Sequence, residues 1–160
     1  MANYLRHKPG SRIPKGFKEK ERLRKEYNIS ERELKRYAKE TITSSENPRK
    51  DLFKKLETRL DNIVFRLGFV KDRENAARLI KSGHVTVNEI KRDDPFFHLQ
   101  QRDVIEFAGN GHYSKQTKFS IVPPWLERKD RMGRVIRLPS LRDSEKRFNL
   151  ERVIEYYALV

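Results

Sequence analysis

The period of the apolar residues changes once along the chain, and that change constrains the fold more than any other feature. From Pro48 onward Leu52, Leu56, Leu60, Ile63 and Leu67 recur every four or three residues, which keeps one face of a helix apolar. After Ser82-Gly83 the period falls to two, in His84-Val85-Thr86-Val87 and again in Asp103-Val104-Ile105-Glu106-Phe107. Further strands are expected at Lys118 to Val122, Arg134 to Arg137 and Val153 to Tyr157. Helices followed by five short strands, with no long helices between the strands, predict an α+β fold with an antiparallel sheet.

Punctuation residues divide the chain. Residues 1–16 read as a basic arm: the first eighteen residues hold five basic side chains and no acid, and Pro9, Gly10, Pro14 and Gly16 interrupt any regular element. Residues 17–46 read as a helical N-terminal domain of two short helices, the second capped by Ser30 with Glu33 returning the bond. Asn47 and Pro48 then open one long helix that Gly68 stops, and Asp72 caps another ending at Ser82-Gly83. Residues 47–122 are expected to form the main domain, with a helix-helix-strand module at about 56–108. Residues 123–160 are expected to complete the sheet and pack on the N-terminal part.

On the Pro48 helix Arg59, Asn62 and Arg66 fall on one side, about a quarter turn from the leucine stripe, with no acidic neighbour on that row. Such a row is either an ordinary solvated face or a ridge facing phosphates, which planar guanidinium groups suit. On the following helix Arg78 and Lys81 lie opposite Ala76 and Ala77, and Arg73 stands at the positively polarised start. Glu74 shares that face, so a surface ion pair is the competing reading. Most of the sixteen aromatic residues sit in apolar patterns that suit a core, although exposed ones can stack on bases.

The formal net charge of +14 on 160 residues makes a polyanion the leading partner. No stretch approaches the roughly 18 uncharged apolar residues of a spanning helix, so no membrane partner is expected. The opening MANYLRHKPG lacks the apolar core of a signal peptide, which points to a cytosolic or organelle-made protein. Without cysteine there is no thiolate chemistry. His7, His84, His98 and His112 have no metal-ligand spacing, and Gly109-Asn110-Gly111 suits a hairpin loop rather than a dinucleotide site. No catalytic set, metal site or cofactor is expected.

The string LETRLDNIVFRLGFVKDRENAARLIKSGHVTVN closely resembles the helix-helix-strand RNA-binding module named after small-subunit ribosomal protein S four. Upstream, FKEKERLRKEYNISERELKRYAKE resembles the helix pair of the bacterial-type ribosomal family itself. Downstream, PPWLERKDRMGRVIRLP and LERVIEYYALV resemble its C-terminal segment. The resemblance implies a structural, non-enzymatic protein that binds a junction in the 5′ region of small-subunit rRNA early in assembly, either in a bacterial ribosome or in an organellar one. It implies contact with ribosomal protein S five and other small-subunit proteins, and a place at the mRNA entry path that bears on accuracy. On this reading Arg59, Asn62, Arg66, Arg73, Arg78, Lys81 and His84 form the RNA surface of the module, and Arg22, Arg24, Lys25, Arg32, Lys35 and Arg36 that of the N-terminal helices. A ribosome-associated rescue factor carrying the same module is the alternative. Ala77 stands where the family often has Arg, and Glu89 and Arg102 stand where it commonly has Gly.

Overall fold

A computed structural model describes residues 13–108, 121–145 and 147–160, which fall into two compact units. The first combines residues up to Arg49 with those after Glu145, and the second runs from Lys50 to Glu145.

In the first unit, Ser30 accepts a hydrogen bond from the Glu33 amide and starts α2 (Glu31–Ser44), just after α1 (Phe17–Tyr27) ends at the left-handed Asn28. The third helix, α6 (Leu150–Ala158), packs on both. The strand expected at Val153 to Tyr157 is therefore corrected to helix. Asn149 caps it by accepting from the Arg152 amide, and buried Leu150, Val153, Tyr156 and Tyr157 repeat at helical rather than alternating spacing. Lys20, nearly inaccessible, donates to Glu31 at 2.6 Å and lies near the faces of the Phe17 and Tyr156 rings. Tyr157 donates to the other oxygen of Glu31, and burial together with that carboxylate pushes its hydroxyl well above the usual phenol range.

In the second unit the long helix expected from Pro48 to Gly68 is two helices, α3 (Pro48–Glu57) and α4 (Leu60–Arg66). Arg59 between them is extended, at φ −62° and ψ 139°. The cause lies in residues 95–99: Leu60 donates to the Phe97 carbonyl, Asp61 donates to that of Pro95, and Leu99 donates back to Thr58. An intervening segment thus takes up the backbone groups that a continuous helix would have paired with itself. Gly68, at φ 78°, ends α4, and Asp72 caps α5 (Arg73–Lys81) by accepting from the Asn75 amide.

The sheet is antiparallel throughout, in the order β2-β1-β3-β5-β4. Its strands are β1 (Val85–Val87), β2 (Ile90–Lys91), β3 (Val104–Phe107), β4 (Leu126–Lys129) and β5 (Met132–Val135). Two of the expected strands, at 84–87 and 103–107, coincide with β1 and β3, whereas the one at 134–137 is β5 shifted toward a hairpin with β4. The expected strand at 118–122 and the loop at 109–111 lie largely or wholly outside the described residues. Asn88 and Glu89 both take positive φ, 51° and 68°, making the tight turn between β1 and β2. Arg102, at φ 75°, does the same before β3.

Leu60, Ile63, Val64 and Leu67 of α4 and Ala76 and Ile80 of α5 share one core with Val85, Val87, Ile105, Phe107, Trp125, Leu126 and Val135. Full burial contributes about 1.5–3 kcal/mol for each large aliphatic side chain. Close approach is enforced at Gly133 of β5, where a Cβ would overlap the Leu67 side chain.

Candidate nucleic-acid interface

The break before α4 turns the row predicted at Arg59, Asn62 and Arg66 inward. Arg59 and Asn62 are both 0% exposed and Arg73 is 5% exposed, so they do not form a solvent ridge, a correction that follows from the backbone route through residues 57–61. Each has a polar partner, as burial requires. The Asn62 side-chain amide donates to the Glu57 carboxylate at 2.6 Å and to the Glu57 carbonyl at 2.8 Å, and its oxygen accepts from Arg73 Nε at 3.0 Å. Arg66 donates to the same Glu57 carboxylate at 2.7 and 3.2 Å, and to Glu145 at 3.0 Å. Glu57 is thus the hub on which Asn62 and Arg66 converge, and Asn62 carries the link on to Arg73.

Arg59 donates through Nη2 to Asp61 at 2.6 Å, with both side chains about 1% exposed. Burial pushes the Asp61 carboxyl up to about 6, against the opposing pull of Arg59 and of the hydrogen bond from the Asn62 amide. Several guanidinium groups stack on rings: Arg73 over Phe65, Arg128 over Phe69, Arg92 over Phe97 and Arg59 over Phe96, at 4.1–4.5 Å. Through Asn62 and Arg73 this network ties α4 to α5.

The other candidates of this unit face outward. Arg78 is exposed and pairs with Glu74 at 2.9 Å, the surface pairing weighed from sequence, and such a pair is weak enough for a phosphate to replace. Lys81 is exposed near the end of α5, and His84 is half-buried at the entry to β1. The same end of the sheet carries cations that the sequence reading passed over. Ala108 donates to the His84 carbonyl and Phe107 to that of Arg131, and the Lys91 side chain lies over Gly83. Exposed Lys91, Lys129 and Arg131 therefore lie along the end of the sheet that carries His84. Pairing across strands unites them, and no spacing along the chain shows it.

In the first unit Arg22 pairs with Glu19, Arg24 with Glu21, and Arg36 with Glu33 and Glu40, while Lys25, Arg32 and Lys35 are exposed. The basic face there is interlaced with acids. Among the described residues no group of carboxylates or histidines has the geometry of a metal site, and no helix is long and apolar enough to cross a membrane.

Comparison with known proteins bears on this geometry. Residues 58–105, from the α3–α4 break into β3, match the model of the S4 domain. The chain is similar to small ribosomal subunit protein uS4 of Persephonella marina, at 35% identity over 89% of this chain and 75% of that protein. It is similar to the uS4 of a Sulfurihydrogenibium species at 37% identity with the same coverage. It is also similar to the uS4 of Thermotoga petrophila, at 32% identity over 87% of this chain and 71% of that one.

Proposed function

The chain belongs to the uS4 family of small-ribosomal-subunit proteins, and from that premise we propose that it is a structural constituent of the small subunit that binds small-subunit rRNA. The role is structural rather than enzymatic, and its place is the ribosome in the bacterial cytoplasm. The observation that carries the reading is extent. Similarity runs over 89% of the chain, well beyond the matched domain at residues 58–105, so the relation is to a whole ribosomal protein and not only to a module. That extent favours the ribosomal role over the rescue factor.

In this reading Arg78, Lys81 and His84 meet phosphate and sugar, joined by Lys91, Lys129 and Arg131 at the end of the sheet. Arg22, Arg24, Lys25, Arg32, Lys35 and Arg36 supply the contacts of the first unit. Arg59, Asn62, Arg66 and Arg73 act by holding α4 and α5 in the arrangement that presents the outer cations. Recognition is of shape and backbone more than of base edges. Early entry into assembly, binding to the 5′ junction, contact with protein S five and a share in the mRNA entry path are finer parts of the same proposal.

Filter binding to a transcript of the 5′ region of small-subunit rRNA, across a salt series, tests it. Arg78→Ala and Lys81→Ala are each expected to lower the magnitude of the log–log salt slope by roughly 0.7–0.9. Unchanged slopes would overturn the contact assignment. Co-sedimentation only with stalled large subunits would favour the rescue role instead.

A further inference from the structure

We propose that the outer face of Phe96 is a stacking platform for one unpaired nucleobase of the rRNA, a reading that rests on the rRNA-binding role above. Phe96 is 39% exposed, although it lies within a well-packed unit. The other exposed large apolar residues described in the unit, Ile90, Ile121, Met132, Ile136 and Leu138, have no π face to offer. The inner side of the Phe96 ring is occupied by the Arg59 guanidinium, 4.5 Å from the centroid. Arg59 is fully buried and fixed by Asp61, and its Nε and Nη1 have no hydrogen-bond partner in the structure. A buried guanidinium, paired with Asp61 on one side only and with two unused donors, polarises the ring above it and draws electron density toward the inner face and away from the outer one. An electron-depleted face favours stacking with an electron-rich base, purines most of all.

The platform is built in advance. Asp94, Pro95, Phe96 and Phe97 form a tight turn in which the Phe97 amide donates to the Asp94 carbonyl and the Phe96 amide to the Asp94 side chain. The carbonyls on either side of Phe96, those of Pro95 and Phe97, accept from Asp61 and Leu60 at 3.0 and 2.8 Å, tying the turn to the start of α4. A ring held this way loses little freedom when a base lands on it. Exposed Asp93 and Asp94 beside it repel phosphate, so the site suits a base with its amino edge toward the acids and its backbone directed away.

Phe96→Leu keeps an apolar cover over Arg59 but removes the flat face. The expected result is a loss of rRNA affinity of roughly 5- to 150-fold with an unchanged salt slope, because stacking releases no counterions. Phe96→Trp is expected to retain affinity, and its emission, above the constant background of buried Trp125, to be quenched when the rRNA transcript is added. Wild-type affinity in Phe96→Leu overturns the platform. An unquenched Trp signal under conditions where the transcript binds also overturns it, whatever Phe96→Leu does. Normal rRNA binding by Phe96→Leu with loss only from assembled subunits would place a protein side chain on the ring, and would overturn it too. If the wild type fails to bind rRNA, the rRNA-binding role falls first and the platform with it.

Discussion

Glu57 Oε1 lies 2.7 Å from Arg66 Nη2, which joins the last residue of α3 to the last residue of α4 across the extended link at Arg59. Glu57 is 2% exposed and also satisfies Asn62, so it has no substitute in water. Glu57→Ala is expected to lower the unfolding free energy by about 1–3 kcal/mol, the usual effect of leaving a buried donor, here the Asn62 amide, without its acceptor, while Arg66 keeps Glu145. Urea titration of the two proteins measures it. By the same logic Arg59→Ala or Arg66→Ala reports on folding, and neither is a clean test of binding.

Asp61 makes stability depend on pH in an unusual direction for a carboxylate. Its folded value of about 6 lies above the ordinary 3.8, so its contribution is fully present below about pH 4 and is lost as pH rises through 6. The full shift corresponds to about 3 kcal/mol. Going from pH 4 to pH 7, the wild type is expected to lose about that much stability relative to Asp61→Asn. Denaturant midpoints of both proteins at the two pH values supply the comparison.

Arg102 holds a left-handed backbone at φ 75°, as Glu89 does at φ 68°. Such conformations cost a side-chain-bearing residue roughly 1–2 kcal/mol, and glycine avoids that cost. Arg102→Gly is expected to raise stability by up to about 1 kcal/mol after the added freedom of the unfolded chain is subtracted. A thermal midpoint equal to or below that of the wild type would count against it.

Gly133 faces Leu67 so closely that a methyl group would have to displace it. Gly133→Ala is expected to cost about 1–3 kcal/mol through overpacking, and the double variant with Leu67→Ala to lose less than the sum of the two single losses. Additive losses in the double variant would show that the two sites do not meet.

Residues whose partners lie within a turn or two were legible from the sequence. Ser30, Asp72, Gly68 and the Asn88-Glu89 turn all act where local chemistry puts them. The break at Thr58-Arg59 was not, because residues about forty positions away supply the carbonyls that the helix gives up. Those distant contacts bring Glu57 to Asn62 and Arg66, so a row that looked free of acids is closed by one. β4 was hidden by its composition, since Glu127, Arg128 and Lys129 carry charge where alternation would show apolar residues. Val153 to Tyr157 misled in the opposite sense: a short apolar run suits either period, and the cap at Asn149 decides for helix.

The first unit takes α1 and α2 from one side of residues 50–145 and α6 from the other. During synthesis α1 and α2 emerge long before α6, so Lys20, Glu31 and the ring of Phe17 at first lack the tyrosines that cover them, whereas the second unit is one continuous stretch of chain. The second unit can therefore close its core before the first unit can. Until α6 is made, the face of α1 and α2 that it packs on stays uncovered.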